Sequence, residues 1–192
     1  MHQDTVGFPF FEWLGRPAEE VYAHLLEKDP PRLREACLRV LAEECSLLDP
    51  VRLWDDTRRE VAFELELSTK EDLEGDWLGE RVRRSMERLL SRDRADERSG
   101  QAFDPADFSY LRRIFSIAAA EARTASIAFH ALPSRIRKIF FALVIEDRSL
   151  EECSAAGLGS EEELGEALWS VFAAARLVSQ EEVDSHARRL LP

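Results

Sequence analysis

The chain has 192 residues, 45% of them hydrophobic, enough for one medium domain or two small helical ones with a filled core. Its formal net charge of -12 at pH 7 opposes general binding to nucleic acid or an anionic membrane, because a polyanion would approach through a repulsive field. The three cysteines, Cys37, Cys45 and Cys153, are odd in number and lack CxxC spacing, so they are expected to be reduced, buried thiols rather than a disulfide framework or a zinc site.

The first residues, MHQDTVGFPFFEWLG, have no basic start and no sustained apolar run, which makes a poor signal peptide. Nothing approaches the roughly 20 apolar residues of a membrane span. A cytoplasmic, bacterial-type protein with no membrane role is the expectation. Strand-like alternation between turn residues is nearly absent, so the expected fold class is all-α, built as two helical bundles.

In chain order, Pro17 sits at a first helical position and starts PAEEVYAHLLEKD, which ends before Pro30 and Pro31. The next helix, PRLREACLRVLAEECSLL, carries Leu33, Cys37, Val40, Leu41 and Leu48 at helical spacing. A third begins near Asp49 and Pro50 and runs through TRREVAFELEL, with Leu53, Trp54, Val61 and Leu65 inward. Ser68 and Glu71 have capping-box spacing and predict a short helix or turn. From Asp76 on, WLGERVRRSMERLLSRDRADER reads as a helix with Leu78, Val82, Met86 and Leu89 on one side and arginines around the other.

The polar stretch 93–104 contains Gly100, which places a linker at 99–104 between an N-terminal bundle, 1–98, and a C-terminal domain, 105–192. Asp104 and Pro105 open one long, alanine-rich helix to about Leu132. Pro133 then starts a supporting helix, SRIRKIFFALVIE, with Ile136, Ile139, Phe140, Leu143 and Val144 inward. Ser149 and Glu152 form a capping box for LEECSAA, and GLGS supplies two glycines for a sharp turn. Ser160 caps a last helix whose first turn, Glu161 to Glu163, complements the helix dipole and whose stripe is Leu164, Leu168, Val171 and Phe172.

This run, LPSRIRKIFFALVIEDRSLEECSAAGLGSEEELGEAL, resembles the C-terminal promoter-reading domain of bacterial sigma factors of the extracytoplasmic-function type, which implies a helix-turn-helix at 133–176. Cys153 and Ser154 stand where the family has Ile-Ala, and Leu164 and Leu168 fill the two buried positions of the reading helix. WLGERVRRSMERLLSRDRADE is more loosely similar to the sigma segment beside the promoter-melting site, with Trp77, Leu78, Arg83, Leu90, Arg92 and Arg94 in matching places. The resemblance is weakly sigma-like at 77–97 and does not reach residues 1–70. The acidic signature with which sigma factors meet RNA polymerase is represented only by the short EDLEGDW at 71–77.

The charge of the last helix runs against the family's usual task. Where a reading helix offers Lys, Arg, Ser and Thr, this one offers Glu162, Glu163, Gly165, Glu166, Ala167 and Ser170. Residues 149–186 hold nine acids against a single arginine, Arg176. Phosphate contacts and most base contacts need cationic or neutral donors, so DNA is possible but disfavoured there. The expected partner is a protein, either RNA polymerase or another regulatory protein, with Glu162, Glu163, Glu166 and Trp169 as candidate contact residues.

A second candidate surface, for nucleic acid or an acidic partner, is Arg81, Arg84, Arg88, Arg135, Arg137 and Lys138. Between Glu80 and Arg98 seven arginines face five acids at spacings that also solvate a helix face. The function expected is therefore a sigma-factor-like regulator in transcription control that acts mainly through protein contacts. The alternative is a genuine sigma factor or helix-turn-helix regulator that holds DNA with Arg135, Arg137, Arg148 and the arginines of 81–98. No HExxH, nucleophile elbow, phosphate loop or dinucleotide motif is present, so neither an enzyme nor a cofactor is expected. His2, His24, His130 and His186 show no ligand spacing, and His130 is expected to be a hydrogen-bonded structural residue.

Overall fold

The computed structural model describes residues 10–27, 31–73 and 75–177. Among these residues it contains nine α-helices and no strand. His2, Lys28, Pro30, Glu181, Glu182, Asp184 and His186 lie outside the described residues. The chain forms two compact units. One takes residues up to Ala42 together with Pro50–Leu89, the other Glu43–Asp49 together with residues from Leu90 onward. The division falls inside a helix, and residues 99–104 lie within the second unit.

In the first unit a short turn, Phe11–Trp13, precedes α1 (Ala18–Glu27), α2 (Pro31–Glu43) and α3 (Pro50–Leu67). A second tight turn, Glu71–Leu73, leads into α4 (Trp77–Ser99). Pro17 stands just before α1, and its carbonyl accepts the N–H groups of Glu20 and Val21 at 3.0 and 3.2 Å. The core joins Phe10, Trp13, Val21, Leu25, Leu33, Val61, Leu65, Leu73 and Trp77. Leu53, Val82 and Leu89 are equally sequestered, and Trp54 and Leu78 are half-buried. Each fully buried aliphatic or aromatic side chain contributes about 1.5–3 kcal/mol, so the periodic apolar face is what fixes each helix.

Two expectations need correction here. The α2 helix ends at Glu43 rather than continuing through Leu48, because Cys45 adopts a left-handed backbone (φ 47°) and turns the chain away. Leu48 is buried, but in the segment that belongs to the second unit. The capping pair after α3 is also offset by one residue. Ser68 N–H still bonds Glu64 O at 2.9 Å as part of the helix end, while Asp72 accepts from both Thr69 N–H and Thr69 Oγ1–H at 2.7 Å. Those two donors hold the exposed Asp72 carboxyl below its ordinary pKa.

The second unit contains the turn Pro105–Phe108, α5 (Ser109–Phe115), α6 (Ala119–Ala131), α7 (Ser134–Phe140), α8 (Leu150–Ala155) and α9 (Glu161–Ala174). Asp104 caps the turn as expected, accepting Ala106 N–H at 2.9 Å. The long helix expected over 105–132 is instead two helices. Ser116 (φ 54°) is left-handed and Ala118 is extended, so the chain folds back and α5 meets α6. Packing decides this break against alanine's helix propensity: Phe115, Phe129 and Phe140 stack edge-on or tilted with centroids 5.4–6.3 Å apart. Arg123 of α6 reaches Glu97 at 3.0 Å and the Gln101 carbonyl at 2.7 Å, which ties the irregular stretch after α4 to this unit.

Beyond Phe140 the α7 backbone widens into one i→i+5 turn over 141–145, with Glu146 N–H bonded to Phe141 O at 2.9 Å. The widening leaves Val144 exposed, contrary to its expected inward position, while Phe141 and Ala142 are buried. Ile139, Ala142, Cys153, Leu164 and Ala167 form a small core shared by α7, α8 and α9. Cys37, Cys45 and Cys153 are free and buried, and burial raises the Cys45 thiol above its ordinary pKa.

Candidate protein-contact site

Both helices at the end of the chain start on reciprocal caps. Glu152 N–H donates to Ser149 Oγ at 3.1 Å, and Ser149 N–H to the Glu152 carboxylate at 2.8 Å. Ser160 and Glu163 repeat the arrangement for α9, at 3.3 and 2.9 Å. Between them Gly157 (φ 76°) and Gly159 (φ 152°) take backbone conformations that L side chains rarely adopt. A Cβ on Gly159 would stand 3.0 Å from the Glu163 carboxylate and 3.4 Å from Arg135 Nη2, so glycine also lets these two groups close over the turn.

Arg135 of α7 donates to Glu163 Oε1 at 3.3 Å and to Leu158 O at 3.5 Å. The Ser160 N–H and then the Arg135 guanidinium keep the Glu163 carboxyl below its ordinary pKa, so it is charged at neutral pH. Beside this pair α7 and α9 leave an open groove of about 400 Å³ lined by Arg135, Ile136, Ile139, Glu162, Glu163, Glu166, Ala167 and Ser170. Among the described lining residues the apolar side chains are Ile136, Ile139 and Ala167, and the charged ones are Glu162, Glu163, Glu166 and Arg135. Glu162 is exposed and Glu166 half-buried.

The structure therefore brings Glu162, Glu163 and Glu166 together with Arg135, which the sequence places on a separate candidate surface. Trp169 is half-buried on α9 and is not part of the groove lining. What the sequence missed is the floor. Ile136 and Ile139 read simply as inward residues, and Ala167 as part of the outer face, although Ala167 is 6% exposed. The shared spacing of Ile136 and Ile139 beside Arg135 was the available signal.

The remaining cations are placed differently. In the first unit Arg88 binds Asp56 at 2.7 Å and Glu60 at 2.6 Å, Arg81 lies 3.4 Å from Glu64, and Arg84 lies 3.6 Å from Glu64. Asp56, Glu60 and Glu64 recur every four residues on α3 and meet this arginine face of α4 as a ladder. Arg81 is nearly buried, whereas the Arg84 side chain is 57% exposed. In the second unit Arg137 Nη1 donates to the carbonyls of Glu44 and Cys45 at 2.8 and 3.3 Å, which fixes segment 43–49. Lys138 is exposed, and Arg148 pairs with Glu146 at 2.8 Å on the surface.

His130 is buried in the second unit. Its Nε2 accepts the Leu47 N–H at 3.2 Å and lies 2.9 Å from Ser46 Oγ, while Nδ1 lies 2.7 Å from Ser126 O. A ring nitrogen that accepts a backbone N–H carries no proton, so the proton is on Nδ1 and donates to Ser126 O. Burial lowers the His130 pKa to about 4. Among the described residues no group of three or more His, Cys, Asp or Glu is placed to hold a metal ion, and no helix is long and apolar enough to cross a membrane. No family model, curated protein or solved structure matches this chain.

Proposed function

We propose that the chain is a sigma-factor-like regulatory protein, with α8 and α9 as a helix-turn-helix that works through protein contacts in transcription control and has given up DNA reading. The observation that carries this reading is the α7–α9 groove, aliphatic at its floor and carboxylate-rimmed where a DNA reader would offer cations. The reciprocal caps at Ser149 and Ser160 and the glycine turn between them support the two-helix unit. A protein surface gains from such a groove because apolar burial at the centre and a polar rim are what interfaces use.

The DNA-holding alternative is less well supported. Arg81 and Arg88 are engaged by Asp56, Glu60 and Glu64, and Arg137 is spent on backbone carbonyls. A mobility-shift titration of the intact chain on duplex promoter DNA at physiological salt tests the choice. No saturable shift is expected. A shift that is abolished by substitutions at Glu162 and Glu166 would establish α9 as a DNA reader and remove this proposal.

A further inference from the structure

We propose that the segment Glu43–Asp49 is a strap over the core of the second unit, latched by the neutral His130 ring and released locally when that ring takes a second proton. The segment follows α2 and precedes α3 in the chain, yet it belongs to the second unit, and Cys45, Ser46, Leu47, Leu48 and Asp49 are all buried. Cys45 and Leu47 share an apolar cluster with Leu111, Phe115, Phe129 and Phe140. Polar contacts fasten the strap along its length. Arg137 of α7 binds the Glu44 and Cys45 carbonyls at one end, and Asp49 accepts from Ser109 Oγ–H and from Tyr110 N–H, the latter at 3.2 Å, at the other. Between them Leu47 N–H ends on His130 Nε2 at 3.2 Å.

The middle fastening is the one a proton on imidazole undoes. Nδ1 already donates to Ser126 O at 2.7 Å, so a second proton has to go on Nε2, the atom that accepts Leu47 N–H. Ser46 Oγ, 2.9 Å from Nε2, can turn to accept the new N–H, but the Leu47 N–H then points at a donor inside a buried segment. Burial opposes the charged ring most, the Ser126 carbonyl favours it, and Arg137 of α7 and Arg94 of α4 oppose it. The acids of the strap are Glu43 and Glu44 at its start and Asp49, which is turned to Ser109 and Tyr110 of α5. An imidazolium is therefore penalised while the strap is seated and hydrated once it is released, so the proton drives release. Release lifts Cys45 and Leu47 off Leu111, Phe129 and Phe140 and leaves the helices of each unit folded.

The full-length chain carries its own reporters. Cys37 lies on α2, Cys45 in the strap and Cys153 on α8, and all three thiols are free and buried. A pulse of 4,4′-dithiodipyridine at about pH 7.5 and at about pH 4.5, followed by peptide mapping with mass spectrometry, gives the labelling rate of each thiol. Each rate is divided by that of the same thiol in the urea-unfolded chain at the same pH, which removes the change in intrinsic reactivity. From the higher to the lower pH the Cys45 ratio should rise about tenfold or more, while those of Cys37 and Cys153 change by less than about twofold. His130→Gln, whose carboxamide oxygen can accept Leu47 N–H and does not titrate, should hold the Cys45 ratio level. The His130 Cε1–H NMR signal of the native chain should titrate over the same pH range as its Cys45 ratio, and this decides alone if the variant does not fold. A joint rise of all three thiols would make the acid step general unfolding and overturn the proposal. So would a Cys45 ratio indifferent to pH, an undiminished rise in folded His130→Gln, or a His130 signal that titrates apart from the Cys45 ratio.

Discussion

His130 shows how one side chain couples the second unit to pH. Its neutral ring satisfies Leu47 N–H and Ser126 O together, and burial holds its pKa at about 4 against an ordinary 6.5. Above about pH 6.5 both folded and unfolded chains carry it neutral, and it adds no pH slope. Between 6.5 and 4 the unfolded chain takes the proton and the folded chain does not, so stability falls as pH is lowered, by about 3 kcal/mol once both values are passed. Urea titrations across this window should show that slope, and His130→Phe should remove its part of it while costing about 2 kcal/mol at neutral pH for the donors left unpaired. Two glycines give a prediction of opposite signs. Gly159→Ala forces a Cβ against Glu163 at φ 152° and should cost about 2 kcal/mol. Gly165→Ala, on α9 with open space around it, should add about 0.5–1 kcal/mol in the same denaturation assay. The sequence marks His130 as structural, and it marks the glycine turn by composition. It does not show which backbone groups His130 satisfies, because Ser46 and Leu47 lie more than eighty positions away.

Helix caps and apolar stripes were the most legible elements. Ser149 with Glu152 and Ser160 with Glu163 are local patterns, and local patterns form wherever the neighbouring chain permits. Leu53, Val61, Leu65, Val82, Met86, Leu89, Leu164 and Val171 are buried at the helical period that places them. Breaks were less legible where no Gly or Pro marks them. Ser116 and Cys45 turn the chain with left-handed backbones that tertiary contacts hold, the first beside the stacked Phe115 and the second beside the Arg137 guanidinium. The α3–α4 ladder was hidden for a related reason. The arginines of α4 looked like a solvated or binding face until α3 supplied Asp56, Glu60 and Glu64 at matching steps. Arg88→Ala should cost about 1–3 kcal/mol, since it removes the guanidinium that pairs with the Asp56 and Glu60 carboxylates, whose side chains are only 7% and 14% exposed. Arg84→Ala, with its side chain mostly in solvent, should stay within about 0.5 kcal/mol of the native chain. Thermal unfolding of the two variants side by side checks the contrast.

At the scale of the whole molecule, charge runs through both units in different roles. In the first it locks helix to helix inside the unit, where the cations of α4 are matched by acids of α3. In the second, Glu162, Glu163 and Glu166 line the α7–α9 groove beside Arg135, in a chain that carries a net charge of -12. The sign of that surface was readable from Glu162, Glu163 and Glu166, whereas its shape was not, because the groove exists only once Ile136 and Ile139 of α7 are set beside α9. The proposed function requires this face to meet a protein of the transcription apparatus. Affinity purification of the intact chain from its host extract, alongside Glu162→Lys with Glu166→Lys, tests it most directly when the retained proteins are identified by mass spectrometry. RNA polymerase subunits or a transcription regulator should be retained by the native chain and lost from the double variant. Retention of no such protein, or equal retention by both chains, would contradict the claim.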